Sequence, residues 1–162
     1  MPLNGRIANG RQVLGALYDE LPPLGGVRLR SVRIDGWAPT VTLRIDLPRF
    51  ADRWEGEPGD TVQCHLQFGH VEDFEMDGWE PPAEVDITWE ELPGHRLAVR
   101  VEGSGVRVSF TSDASPLAGH VSVFTADADG GDGGPHQFVR KLDSRLYRTV
   151  PPPTVKTFHE HL

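Results

Sequence analysis

Thr40-Val-Thr-Leu-Arg-Ile-Asp46 and Thr61-Val-Gln-Cys-His-Leu-Gln-Phe68 place an apolar side chain at every second position. Successive side chains of a strand point to opposite faces, so this period of two turns Val41, Leu43 and Ile45 one way together, and likewise Val62, Cys64, Leu66 and Phe68. The rhythm continues on both sides. Val27–Asp35 begins apolar at Val27 and Leu29, then switches parity to Val32 and Ile34, a slip of one residue that predicts a bulge near Ser31. Val71–Asp77, Glu84–Glu90, Arg96–Val101, Val106–Phe110 and His120–Thr125 complete eight short strands. Asp35-Gly36, Pro58-Gly59-Asp60, Pro93-Gly94, Gly103-Ser104-Gly105 and Ser115-Pro116 supply turn chemistry between them. The expected fold is mainly β (β-rich α+β): an antiparallel sheet folded as a sandwich or open barrel.

The ends of the chain read differently. Val13, Leu14, Leu17, Tyr18 and Leu21 fall on one helical face, with Asn9 as N-cap and Pro22-Pro23 as terminator. This predicts a helix over residues 10–21 that covers an edge or an open end of the sheet. Residues 1–125 then form a single β-rich domain. Residues 126–136, rich in Gly and Asp, read as a flexible linker. Phe138, Leu142 and Leu146 recur every four residues among Arg140, Lys141, Arg145 and Arg148, giving a basic amphipathic tail over 137–162.

A chain of 162 residues is the length of one domain with a tail. No apolar run approaches the roughly 20 residues of a membrane span. The opening MPLNGRIANGRQ lacks an apolar h-region and a small-residue cleavage site, so a cytoplasmic location is expected. The single Cys64 closes no disulfide and no zinc cage, and its strand parity turns it inward as a small apolar residue. Neither HExxH nor GxSxG nor a phosphate-binding glycine loop occurs, and no two of the seven histidines stand at ligand spacing within a helix. His65 is expected to point away from the core into solvent. Asp127, Asp129 and Asp132 fail as a calcium loop, because the fifth and twelfth positions are Gly131 and Phe138. The expectation is a protein without cofactor or metal that is not an enzyme.

The charge is concentrated. The formal net charge is −8, yet no Lys or Arg occurs between Arg53 and Arg96, where 12 of the 24 acids lie; all 16 basic residues are found in the rest of the chain. Such a balance disfavours nucleic acid and suits a basic protein partner. If 71–77 and 84–90 pair as a hairpin with their apolar faces matched, Asp77 stands opposite Glu84 and Glu75 opposite Asp86. Like charges directly opposite destabilise a sheet, whereas a cationic partner turns that cost into attraction and faster association. The candidate partner-binding residues are therefore Asp73, Glu75, Asp77, Glu80, Glu84, Asp86 and Glu90, with Trp79 as a partly buried anchor. The competing reading is a solvated face whose charges only protect an edge. Of the other tryptophans, Trp37 and Trp54 fall in loops and Trp89 turns inward.

One further signal is the order of features. Leu14-Gly-Ala-Leu-Tyr-Asp-Glu-Leu-Pro-Pro-Leu24 leads into Val27–Asp35, then Thr40-Val-Thr-Leu-Arg-Ile-Asp-Leu-Pro48, Val62–Phe68 and Met76-Asp-Gly-Trp79. Over roughly residues 10–125 this is similar to the immunity protein 50 family of bacterial polymorphic toxin systems. The resemblance implies an antitoxin that binds and neutralises a cognate toxin domain encoded nearby, and it brings no catalytic residues. Asp46, Leu47, Pro48, Gly78 and Trp79 match the family pattern. With the acidic segment, the expected function is occlusion of a basic toxin surface, without nucleic acid or membrane, by a monomer or weak dimer. The alternative is a small-ligand or carbohydrate-binding β-sandwich, with or without hydrolytic activity, marked by a deep aromatic pocket.

Overall fold

The computed structural model describes residues 7–80, 83–131 and 135–138. Among these residues nine antiparallel strands form one sheet: β1 (Val27–Asp35), β2 (Thr40–Asp46), β3 (Thr61–Phe68), β4 (Glu72–Asp77), β5 (Ala83–Leu92), β6 (Arg96–Gly103), β7 (Val106–Asp113), β8 (Leu117–Phe124) and β9 (Gln137–Phe138). Their spatial order is β4-β7-β6-β5-β1-β2-β3-β8-β9. The mainly β expectation holds, and eight of the nine strands lie where alternation placed them.

The sheet doubles over where β1 meets β5. Only Val27, Arg28 and Leu29 pair with β5 before β1 leaves it. At that point, between Leu29 and Ser31, the pairing of β1 with β2 shifts register. This is the bulge that the parity slip announced, and a bulge bends its strand and sharpens the local twist. The two halves of the sheet consequently face each other. Phe68 of β3 meets Phe110 of β7 edge-on at 5.1 Å and Trp89 of β5 at 6.1 Å, although neither strand is its neighbour. Leu43, Ile45, Leu66, Val99, Val101 and Val108 fill the space between, each 1% exposed or less. Burying such side chains contributes roughly 1.5–3 kcal/mol apiece.

The hairpin expected between 71–77 and 84–90 does not form. β5, β6 and β7 make a local meander instead, through turns in which Gly94, His95 and Gly105 take positive φ. β4 then adds to the open edge of β7, so two strands separate it from β5. Matching apolar faces could not reveal this, because every strand of the half-sheet shows the same alternation and pairs equally well by that criterion.

The helix is also shorter than expected. α1 spans only Gly10–Val13, and Asn9 makes no capping bond. Its carboxamide is engaged by β8: Nδ2 donates to the Ala118 carbonyl at 2.7 Å and Oδ1 accepts the Ala118 N–H at 2.8 Å. Gly10 and Gly15 weaken a helix by about 1 kcal/mol each relative to alanine. The apolar set survives the loss of helix, since Val13, Leu14, Leu17, Tyr18 and Leu21 are all buried. Residues 126–131, read as flexible from composition, form a turn closed by Gly130 N–H to Asp127 at 2.8 Å and Asp127 N–H to Gly131 at 2.9 Å. Gln137 and Phe138 pair with β8 as a strand rather than opening a helix; the rest of the expected tail lies outside the described residues. No helix among those residues is long and apolar enough to cross a membrane.

Candidate functional site

The half-sheet β4-β7-β6-β5 presents one face to the core and one outward. Its register fixes what the outer face carries. Asp86, Glu102, Arg107 and Asp77 stand in one row across the four strands; Thr88, Arg100, Ser109 and Glu75 form the next. Glu90, Ala98, Thr111 and Glu72 form the third. With Glu84 at one corner and Asp113 opposite Arg96 at another, eight carboxylates share this face with Arg96, Arg100 and Arg107. Arg96 pairs with Glu72 at 3.2 Å. Arg100 and Arg107 form no ion pair among the described residues.

Carboxylates from both expected strands thus reach one face, but not side by side. β4 and β5 lie three strand spacings apart, roughly 14 Å. Asp77 faces Arg107 rather than Glu84, and Glu75 faces Ser109 rather than Asp86. A like-charge pair does exist, between Asp86 and Glu102. Asp86 relieves part of its cost by accepting the Gly26 N–H at 2.8 Å. Asp73 sits in the β4 bulge with φ +54°, and Glu80 lies beyond β4 beside Gly105. Sequence reasoning missed Glu102, because it ended β6 at Val101. Extending the alternation across the Gly103-Ser104-Gly105 turn would have found it.

Trp79 is placed by its neighbour. Gly78 has φ +75°, and a Cβ there would collide with the Gly105 carbonyl, so only glycine lets the chain pass the β6–β7 turn so closely. Trp79 remains 40% exposed and Met76, on the rim of the inner face, 38%. Clefts of about 300 Å³ flank Asp77 and Arg107 on this side. Trp37 projects from the β1–β2 turn at 98% exposure, while Trp54 is tied down by Nε1–H donating to the Glu57 carbonyl at 2.8 Å.

The other half-sheet has an outer face as well, and that one is covered. His65 points away from Cys64 and Leu66 as expected, yet it is 0% exposed rather than solvated. Its ring lies 5.8 Å from that of His120. Asp46, at 6% exposure, anchors a polar network: Oδ2 accepts Arg30 Nε–H and Oδ1 accepts Gln63 Nε2–H, both at 2.9 Å. Gln63 in turn accepts Arg44 Nε–H at 2.8 Å. Arg30 also donates to the Gly130 carbonyl at 2.8 Å, and Arg28 donates to the same oxygen. Ser122 bonds His136 at 2.7 Å, and the His136 ring stacks on Phe124. The segment after β8 is therefore a strap held on Arg28 and Arg30 of β1, on Asp60 just before β3 and on Ser122 of β8.

A cleft of about 260 Å³ remains between strap and sheet, lined by Arg28, Asp46, Asp60 and Gly130 among others. Its acids are engaged within the chain: Asp46 as above, and Asp60 by the Ala126 N–H at 2.9 Å and the Thr61 hydroxyl at 2.7 Å. Those bonds hold the Asp60 carboxyl below the usual carboxylate range. Burial pushes the Cys64 thiol up to about 12, so it stays protonated and inert. Among the described residues no three His, Cys, Asp or Glu side chains converge as a metal site. His159 and His161 lie outside them.

The geometry offers one solvated, net-acidic sheet face and one polar face closed by the chain itself. The model of the immunity protein 50 family matches residues 10–117, two thirds of the chain, from α1 to the first residue of β8. No curated protein and no solved structure matches the chain significantly. A match over that length settles the classification: the chain belongs to the immunity protein 50 family.

Proposed function

We propose that this protein neutralises a cognate toxin in the cytoplasm by binding over it, with the outer face of β4-β7-β6-β5 set against a basic surface. The observation that supports this reading most is the register that brings Glu75, Asp77, Glu84, Asp86, Glu90 and Glu102 onto one exposed face. Setting Asp86 opposite Glu102 costs the folded monomer, a cost that Arg107 on the other side of Glu102 offsets only in part, whereas a cationic partner repays that repulsion on contact. The same field raises the rate of encounter and weakens with salt. Action is by occlusion and not by catalysis. A toxin that handles phosphate suits the face, since such a cleft must itself be positive.

Co-purification with the product of the adjacent gene, at low and at high salt, tests the reading. The expected result is a one-to-one complex whose affinity falls as salt rises. Glu75→Lys combined with Asp86→Lys should weaken it by at least about tenfold while leaving the fold intact. An unchanged complex in that double variant would remove the face from the interface.

A further inference from the structure

The two ends of the sheet are finished in different ways. At one end β9 pairs with β8 and the strap lies over the neighbouring face. At the other end β4 pairs on one side with β7, and its second side makes no backbone hydrogen bond among the described residues. Five of its six residues are exposed. In any strand alternate N–H and C=O groups point sideways, so a free edge is a template for another strand. β4 carries some protection: the bulge at Asp73 interrupts its first half, and carboxylates line it. The part from Glu75 to Asp77 is regular.

Protection alone does not call for what surrounds that part. Met76 and Trp79 stand exposed at its C-terminal end. At its N-terminal end, the Val71 N–H donates at 2.7 Å to the carbonyl of Pro39, in the turn that projects Trp37 into solvent. Tryptophan is the residue most enriched among binding anchors, and a solvated indole adds nothing to this fold. Charge selects the occupant. On the outer face an added strand would lay alternate side chains beside Glu75 and Asp77, and those must be cationic to be tolerated.

We propose that the free edge of β4, from Glu75 to Asp77 with Trp79 beside it, receives an extended Arg- or Lys-bearing segment of the partner protein as a tenth strand. Main-chain hydrogen bonds hold the segment, Glu75 and Asp77 read its basic side chains, and Met76 and Trp79 take the apolar ones on the other side. The identification of that partner as the toxin rests on the function proposed above; the edge itself does not.

Hydrogen–deuterium exchange on the full chain, alone and with the adjacent gene product, tests this. The expected result is slowed exchange at the amides of 75–77 in the complex, and Trp79→Ala should weaken binding by about thirty-fold with unchanged thermal unfolding. A complex that forms while exchange at 75–77 stays as in the free protein overturns the edge proposal and leaves the immunity reading standing. If no complex forms, a short peptide alternating arginine with valine is the probe. Protection at 75–77 on adding that peptide upholds the edge while the toxin reading fails, and its absence overturns the edge too.

Discussion

The two outer faces of this folded sheet start from the same pattern and end in opposite surroundings. On β5 and β6, Glu84, Asp86, Glu90, Arg100 and Glu102 occupy the non-core positions and are exposed. On β2 and β3, Thr42, Gln63 and His65 occupy equivalent positions and are 2% exposed or less. The difference is cover. A strap whose Gly130 carbonyl is held by Arg28 and Arg30 lies over the Asp46 end of the second face, and the His120 ring stands beside His65. The lesson is that alternation reports which residues avoid the core, and nothing about whether water reaches them.

The largest test of that contrast is at Asp46. Asp46→Ala leaves Arg30 and Gln63 without their shared acceptor at a site where the Arg30 and Asp46 side chains are only 8% and 7% exposed. Denaturant titration should show a loss of about 3–5 kcal/mol. Glu75→Ala on the open face should stay within about 0.5 kcal/mol. Equal losses at the two sites would erase the distinction.

Next comes the strap. Gly130 has φ +82°, and a Cβ there would collide with the Arg28 guanidinium. Gly130→Ala should cost roughly 1–2 kcal/mol from the left-handed backbone alone, and limited proteolysis should then cut first near residues 126–131. A variant that is cut no faster would mean that the Gly130 clasp does not hold the strap. On the open face the cost is small. Glu102→Arg gains an attraction to Asp86 but loses the one to Arg107 and sets two cations opposite each other, so stability should stay within about 0.5 kcal/mol, seen as a nearly unchanged Tm, while binding to any basic partner weakens.

The smallest effect concerns pH. The Ala126 N–H and the Thr61 hydroxyl hold the Asp60 carboxyl below its ordinary range in the folded chain. Stability from this group is therefore present above the unfolded carboxylate value of about 3.9 and lost as pH falls through the lower folded one. Because Asp60 is solvated, the loss is slight. Amide exchange at Ala126 should lose protection in acid, and Asp60→Asn should remove that pH dependence.

The site was legible in composition and only partly in place. Alternation put the carboxylates of β4 and β5 on the solvent side correctly. It joined them into a hairpin because Met76 and Val85 match as well as Met76 and Val108 do, although only the latter pair forms. The acids consequently stand apart, with Arg100 and Arg107 between them. The exposed edge of β4 was invisible for the same reason, since it depends on which strand lies beside which; Glu102 was lost only because β6 was ended at Val101, two residues short of its end at Gly103.

By itself the sequence determined β1 to β8, the inward set from Val27 to Val123, and the bulge beside Ser31. Each of these follows from a period of two or a break in it, and such a signal spans only a few residues. Tertiary structure alone decided the neighbours of β4, the short α1 that gave up its cap to β8, and the closing of one polar face while the other stayed open. Those outcomes come from competition among contacts far apart in the chain, where several partners satisfy the local pattern and only the packed whole selects one.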